Sequence, residues 1–207
     1  MHPALTLDHL AITAQSLEEG LAFVERALGV EVPPGGAHPA MGTHNRLMAL
    51  GPELYLEIIA IDPAAPRPAR PRWYGLDGLD GVPSIGTWVL STPDIESTLA
   101  GLPSSVGPAI PMARGDLSWM ISVPKDGSMP QDGAFPSLIQ WPNGSPAPRM
   151  RDLGCRLHRL TVEHPGAEAI NAALKGHFHD PRVEVRPGPV KSIVAEFETP
   201  LGRCVLQ

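Results

Sequence analysis

Hydrophobic and polar residues alternate at the start of the chain and predict a strand. In residues 7–13, Leu10 and Ile12 fall on one side of an extended backbone. His9 and Ala11 fall on the other side, and this period of two is typical of a strand. Further extended segments are predicted at 30–33, 44–50 and 54–61.

A helix is predicted between the first two strands. Ser16 is a suitable N-cap, and the glutamates that follow it suit the positive end of a helix dipole. Gly29 is a suitable C-cap. An apolar stripe at helical spacing consists of Leu17, Leu21, Val24 and Leu28. The first block therefore has the order βαβββ.

The same order of elements is predicted twice more. In the second block, Thr92 is the expected N-cap and Pro93 the first helical residue. When residues 9–13 are aligned with 87–91, the helical Leu17 and Leu21 fall on Ile95 and Leu99 without a gap. The second block has predicted strands at 86–91, 109–114, 117–123 and 136–141. The third has strands at 157–162, 183–186, 190–197 and 203–206 and a helix at 167–174.

The repeat predicts an α+β protein in which paired βαβββ modules form a curved mixed sheet around a cleft. Proline clusters mark the connections between blocks, because proline cannot donate a hydrogen bond within a sheet. The expected organisation is module one at 5–62, a loop at 63–84 and module two at 85–142, all within a paired unit at 1–145. An additional third module is expected at 146–207.

Charge and composition narrow the class of partner. The net charge of −6 argues against binding to nucleic acid or to anionic membranes. The N-terminus has no export signal, and no apolar run is long enough to span a bilayer, so a cytoplasmic protein is expected. Cys155 and Cys204 are accordingly expected as reduced thiols. The expected partner is a small-molecule ligand.

Several catalytic motifs are missing from the sequence. There is no glycine-rich phosphate loop and no dinucleotide fingerprint, so no nucleotide cofactor is expected. There is no Gly-x-Ser-x-Gly motif, and neither cysteine lies in a recognisable catalytic context. Nucleophilic catalysis therefore has little support.

At this point the sequence resembles the vicinal oxygen chelate superfamily, and within it the glyoxalase-like proteins that open with an Asp-His-Leu strand. The segments that carry the resemblance are 8–12, 35–39, 42–45, 55–59 and 138–141. It covers residues 5–145 well and the last 60 or so more loosely. The superfamily includes isomerases, lyases, dioxygenases, epimerases and ligand-sequestering proteins, so the resemblance implies a fold rather than a reaction.

The resemblance implies a divalent metal ion, such as Zn, Ni, Mn or Fe, held by the first and last strands of two modules. Carried over to this chain, the ligands would be His9, Glu57 and Gln140. Thr87 occupies the fourth position and is a poor ligand, which departs from the family pattern.

Glu57 is the expected catalytic residue. By strand alternation it shares a face with Tyr55 and Ile59, and a charge on an apolar strand must be paired or bound. It could bind the metal, or act as a general base in a metal-free relative. Pairing with Arg46 on the neighbouring strand is the structural alternative.

Other side chains are expected to contact substrate. His44 and Asn45 lie in a turn that enters a strand, where turn chemistry is the alternative explanation. Gln140 suits a hydrogen bond to substrate better than a metal. Trp73 and Tyr74 lie in a loop that could fold over the opening. The expected substrate contacts are His44, Asn45, Tyr55 and Gln140.

Two functions remain open from the sequence. One is a metal-dependent lyase, isomerase or dioxygenase acting on a small oxygen-rich molecule, and this is the preferred hypothesis. The other is a binding protein of the bleomycin-resistance type that performs no chemistry. Pairing of the modules within one chain and pairing across a homodimer are both open.

Overall fold

A computed structural model describes residues 5–207; residues 1–4, which belong to the N-terminal segment expected to lack an export signal, lie outside it. The strands are β1 (Thr6–Thr13), β2 (Gly36–His38), β3 (Thr43–Ala49), β4 (Tyr55–Ile61), β5 (Ser84–Ser91), β6 (Ala109–Arg114), β7 (Leu117–Ser122), β8 (Ser137–Gln140), β9 (Arg156–Glu163), β10 (Val183–Arg186), β11 (Ser192–Thr199) and β12 (Gly202–Leu206). The helices are α1 (Leu17–Leu28), α2 (Ile95–Ala100) and α3 (Ala167–Leu174). The predicted βαβββ order is confirmed in all three blocks. No helix in the described part of the chain has the length and apolar character needed to cross a membrane.

Strands β1 to β8 form a single sheet in the order β2-β3-β4-β1-β5-β8-β7-β6. Within each module the first strand pairs in parallel with the last, and β1 and β5 join the modules antiparallel at the centre. Both modules belong to one chain, so no second copy is needed to build this sheet. The edge strands β2 and β6 contact each other, which makes the sheet curved and nearly closed. The predicted fold class is confirmed.

The two faces of this sheet have different neighbours. Leu56 and Ile58 of β4 face the helices and belong to the larger apolar core. Ile59 belongs to a second, smaller cluster on the concave face, together with Ala11 of β1. The predicted division of β4 between helix side and cleft side is therefore confirmed.

Two local predictions need correction. The segment 30–33 is not a strand; β2 lies later, at Gly36–His38, because the two prolines that follow Val32 cannot donate hydrogen bonds to a sheet. The N-cap of α2 is Asp94, which accepts a hydrogen bond from Ser97 N, and not Thr92. The caps of α1 are as predicted: Ser16 accepts from Glu19 N, and Gly29 adopts a φ of 68° that favours glycine.

The third unit has the same order of elements but a different strand order. Its sheet runs β10-β9-β11-β12, so the first strand pairs in parallel with the second strand instead of the fourth. Helix α3 thereby makes an ordinary parallel crossover. Leu160 and Phe197 join the same apolar core as the helix side of the large sheet, so the third unit covers that side. Both cysteines are free thiols.

Candidate active site

The concave face of the large sheet encloses a narrow cleft. Module one contributes most of its polar groups, and module two contributes mainly apolar side chains. The lining residues are His9, His38, Asn45, Leu47, Tyr55, Glu57, Trp73, Tyr74, Arg114, Trp119, Ile121, Ile139, Trp141 and Pro146.

An aspartate–histidine pair lies at the centre of the cleft. Asp8 and His9 of β1 are 3% and 2% exposed, and His9 Nδ1 donates to Asp8 Oδ1 at 2.7 Å. The other oxygen of Asp8 accepts from Trp141 Nε1 at 3.0 Å. With Nδ1 held by Asp8, the other ring nitrogen of His9, Nε2, faces Glu57.

Glu57 projects from β4 and is only 7% exposed. Its Oε1 accepts from Asn45 Nδ2 at 2.6 Å, and its Oε2 lies 3.6 Å from His9 Nε2. No arginine or lysine in residues 5–207 forms an ion pair with it. A buried carboxylate held by an amide and a histidine is typical of a site that handles protons.

Two tyrosines beside these carboxylates remain neutral. Tyr55 stacks on His9 with ring centroids 4.5 Å apart. Burial raises the pKa of Tyr55 well above its usual value, and the charges of Asp8 and Glu57 raise it further. Burial, followed by the charge of Glu57, raises the pKa of Tyr74 in the same direction. Both phenols therefore act as hydrogen-bond donors in the cleft.

His38 and Arg114 meet where the two edges of the sheet approach. Arg114 Nη1 donates to Asn45 Oδ1 at 2.8 Å and lies 3.3 Å from His38 Nε2. The Nδ1 of His38 is 3.1 Å from Thr43 Oγ1. Burial lowers the pKa of His38 to about 3, and the charge of Arg114 adds to this effect. His38 is therefore a neutral acceptor toward Arg114.

The depressed pKa of His38 predicts a loss of stability in acid. Between pH 6.5 and 3 the unfolded chain binds a proton at this residue that the folded chain does not, so stability falls as pH falls. Between pH 7.5 and pH 5 this residue should lower the free energy of unfolding by about 2 kcal/mol. We expect the free energy of unfolding of His38→Gln, measured in urea, to fall by that much less than the free energy of wild type over the same pH range. The exposed His158→Gln is the control, and an unchanged pH dependence in His38→Gln would contradict the assignment.

Trp73 and Tyr74 close the cleft as a lid segment, which we define as residues 72–79. Tyr74 adopts a φ of 56°, an unfavourable conformation for a residue with a large side chain. Gly75 N donates to Gly127 O in module two, and Arg72 pairs with Asp77. The cleft has a free volume of about 30 Å³, which is about the room that one water molecule needs. We therefore expect the lid segment to move when a ligand binds.

The structure does not bring all the expected residues together. His9, Asn45, Tyr55 and Glu57 line the cleft. Gln140 does not line it, since its Oε1 accepts from Ile95 N at the start of α2, and its neighbours on β8 face the cleft instead. His44 and Arg46 alternate with Asn45 along β3 and lie on the other face, so Arg46 is not the partner of Glu57.

The sequence alone did not single out three residues of the site. Asp8 appeared only as part of the opening Asp-His-Leu strand, and His38 only as part of a glycine-rich segment. Arg114 ends β6, and it reaches Asn45 only because distant strands close the sheet. No local signal in the sequence identifies such a contact.

The donors present do not fit the implied metal ion. His9 Nε2 and Glu57 Oε2 are close enough to share a ligand, and Asp8 orients His9 as a second-sphere carboxylate would. However, the described residues contain no group of three or more His, Cys, Asp or Glu side chains placed to hold a metal. On the side of module two the cleft is lined by Ile139 and Ile121, whose side chains have no atom that can coordinate a metal.

We therefore expect purified protein to bind much less than one divalent ion per chain. Elemental analysis after incubation with zinc, nickel, manganese and ferrous salts and then dialysis measures this. His9→Ala is the matched variant, and we expect it to have the same low content. About one ion per chain in wild type, lost in His9→Ala, would contradict this view of the site.

The paired modules, their curved sheet and the central cleft define the class of protein as vicinal oxygen chelate. The profile of the glyoxalase-like domain family matches residues 7–178, and the chain belongs to that family. The resemblance seen in the sequence is thus confirmed.

The chain is similar in fold to a solved structure that matches most of its length. A hypothetical protein from Staphylococcus aureus is 16% identical, with a TM-score of 0.60 over 91% of this chain and 88% of that one. Methylmalonyl-CoA epimerase from Mycobacterium tuberculosis is 17% identical, with a TM-score of 0.42 over 65% and 85%. The Streptomyces coelicolor epimerase is 16% identical, with a TM-score of 0.43 over 68% and 96%. A search of curated proteins found no match. Similarity at this level carries no information about substrate.

Proposed function

We propose that this protein is an acid–base enzyme of the isomerase or lyase type, which moves a proton on a small organic molecule in the cleft. The proposal rests on the environment of Glu57. Its carboxylate is 7% exposed, faces the cleft and has no cationic arginine or lysine partner in residues 5–207. Burying such a group costs stability, and active sites commonly retain that cost for function.

The geometry supports a specific division of roles. Glu57 removes a proton from a carbon next to a carbonyl, and Asn45 fixes the orientation of its carboxylate. The neutral phenol of Tyr74 donates a hydrogen bond to the oxygen on which negative charge develops. His9 Nε2, 3.6 Å from Glu57, is the adjacent site that can receive the proton. Asp8 stabilises the charge that His9 then acquires.

Hydrogen–deuterium exchange tests this proposal even while the product is unidentified. The protein is incubated in deuterated buffer with 1,2-dicarbonyl, 2-oxo-acid and 2-hydroxy-acid compounds, and NMR follows loss of the carbon-bound proton. We expect at least one class to exchange faster with wild type than without protein. Exchange at the background rate for every compound that binds would contradict an acid–base enzyme.

A binding protein without chemistry is the second candidate. The aromatic and aliphatic wall of module two favours it, because Trp119, Trp141 and Ile139 can hold an apolar ligand by burial alone. Tight binding together with background exchange in the same experiment would select this function.

The proposal also covers the location of the protein and its partners. We propose a cytoplasmic protein that acts on a small molecule. The net charge of −6 supports the view that its partner is neither nucleic acid nor an anionic membrane. Association into a homodimer is compatible with the proposal but not required by it, because one chain supplies both walls of the cleft.

A further inference from the structure

Arg114 is a cation inside the cleft, and its hydrogen-bond partners within residues 5–207 are uncharged. It lines the cleft at the junction of β2 and β6 and is half-buried. In residues 5–207 it forms no salt bridge, whereas seven other arginines of this chain pair with carboxylates. A guanidinium partly removed from water is normally compensated by an anion.

The groups around Arg114 do not compensate its charge. In the described part of the chain, it contacts the amide oxygen of Asn45 and the neutral ring of His38. Trp73, which is 3% exposed and lines the same cleft, has an indole N–H with no hydrogen-bond partner among the described residues. The cleft therefore contains donors that lack a strong acceptor.

Gly36 is what allows Arg114 to reach this position. A Cβ atom on Gly36 would lie 2.8 Å from Arg114 Cδ and 3.1 Å from both its Nε and its Nη1. Since all three close contacts are with a flexible side chain, an alanine there would move Arg114 and leave the backbone in place. The glycine at position 36 thus leaves the space through which the guanidinium of Arg114 reaches Asn45.

We propose that the substrate carries a carboxylate, which Arg114 binds at this corner of the cleft. This inference rests on the proposed function and names its substrate class. A guanidinium binds a carboxylate through two parallel hydrogen bonds, and the Trp73 N–H is a further donor in the same cleft. Only the amide of Asn45 separates Arg114 from Glu57, so the carbon next to the bound carboxylate lies on the side of Glu57. The apolar wall of module two takes the substituent on that carbon.

Phenylacetate and its uncharged counterpart phenylacetamide are the probes that test this proposal. Titration calorimetry at pH 7.5 measures their affinity for wild type, Arg114→Met and Gly36→Ala. The control is Arg46→Met, which removes a half-exposed arginine from the other face of β3. Circular dichroism establishes that each variant is folded.

We expect wild type and Arg46→Met to bind phenylacetate about tenfold or more tightly than phenylacetamide, as a charged hydrogen bond implies. In Arg114→Met the preference falls to within about twofold. Gly36→Ala, which keeps the charge but displaces it, lies between them. Equal binding of the two probes to wild type overturns the proposal, as does failure of both to bind. A folded Arg114→Met that loses affinity for both probes equally also overturns it.

The Glu57→Gln variant separates this inference from the proposed function. Removing a nearby negative charge should strengthen phenylacetate binding and preserve its preference over the amide. Carboxylate preference without deuterium exchange would therefore support the anion site and contradict the enzyme. Deuterium exchange of neutral dicarbonyls alone, with no carboxylate preference, would support the enzyme and contradict the anion site.

Discussion

Glu57→Gln reduces deuterium exchange of the substrate by at least about 100-fold, the usual contribution of a positioned general base. Glutamine retains an oxygen that can accept the hydrogen bond from Asn45, so the cleft keeps its shape. It cannot take up a proton at that position at neutral pH. The rate of exchange in deuterated buffer, followed by NMR at saturating substrate, measures the loss.

The same variant should be at least as stable as wild type. The substitution removes a buried charge that has no cationic arginine or lysine partner in residues 5–207, and such a charge costs free energy of folding. Lower activity with undiminished stability is characteristic of a functional site. Glu53→Gln, on an exposed turn, is the control and should change neither quantity. Unaltered exchange in Glu57→Gln would remove Glu57 from the mechanism.

Phe197→Ala should lower the free energy of unfolding by about 3–5 kcal/mol, as expected for a large side chain deleted from a packed core. Phe197 is fully buried on β11 and belongs to the apolar core that the third unit shares with the large sheet. In a chain of this size the loss corresponds to a fall of about 10 °C in melting temperature. Scanning calorimetry measures it.

The shape of that transition carries further information. Because one continuous core links the two sheets, Phe197→Ala should still unfold in a single transition. Val205→Ala, on an exposed position of β12, is the control and should leave the melting temperature nearly unchanged. A separate early transition in Phe197→Ala, with the main one unmoved, would show that the third unit folds by itself.

Periodicity in the sequence predicted most of the secondary structure. Helix α1 has an apolar stripe and two good caps, and these local features were sufficient. Strand β4 is apolar on both faces, but side chains alternate along any extended backbone, and this placed Glu57 and Tyr55 on one face. The errors arose where two local signals compete. Thr92 and Asp94 are both acceptable N-caps, and only the packing of α2 decides between them.

The site was less predictable because it depends on long-range register. Strand β8 is short, and a shift of one residue exchanges Gln140 for its neighbours on the cleft face. The contact between Arg114 and Asn45 joins residues 69 positions apart and exists only in the closed sheet. The different strand order of the third unit is likewise invisible in its element order, since both arrangements begin with a strand and a helix.

The central position of β1 in the large sheet has a consequence for folding on the ribosome. β1 is synthesised before both of its partners, β4 and β5, and β5 ends at Ser91. Until β4 and β5 have both emerged from the ribosome, at least one edge of β1 has no strand to pair with. Pairings of such long sequence separation form slowly and leave the strand open to association with other chains. Pauses in translation before residue 91 should therefore lower the yield of native protein more than pauses after it.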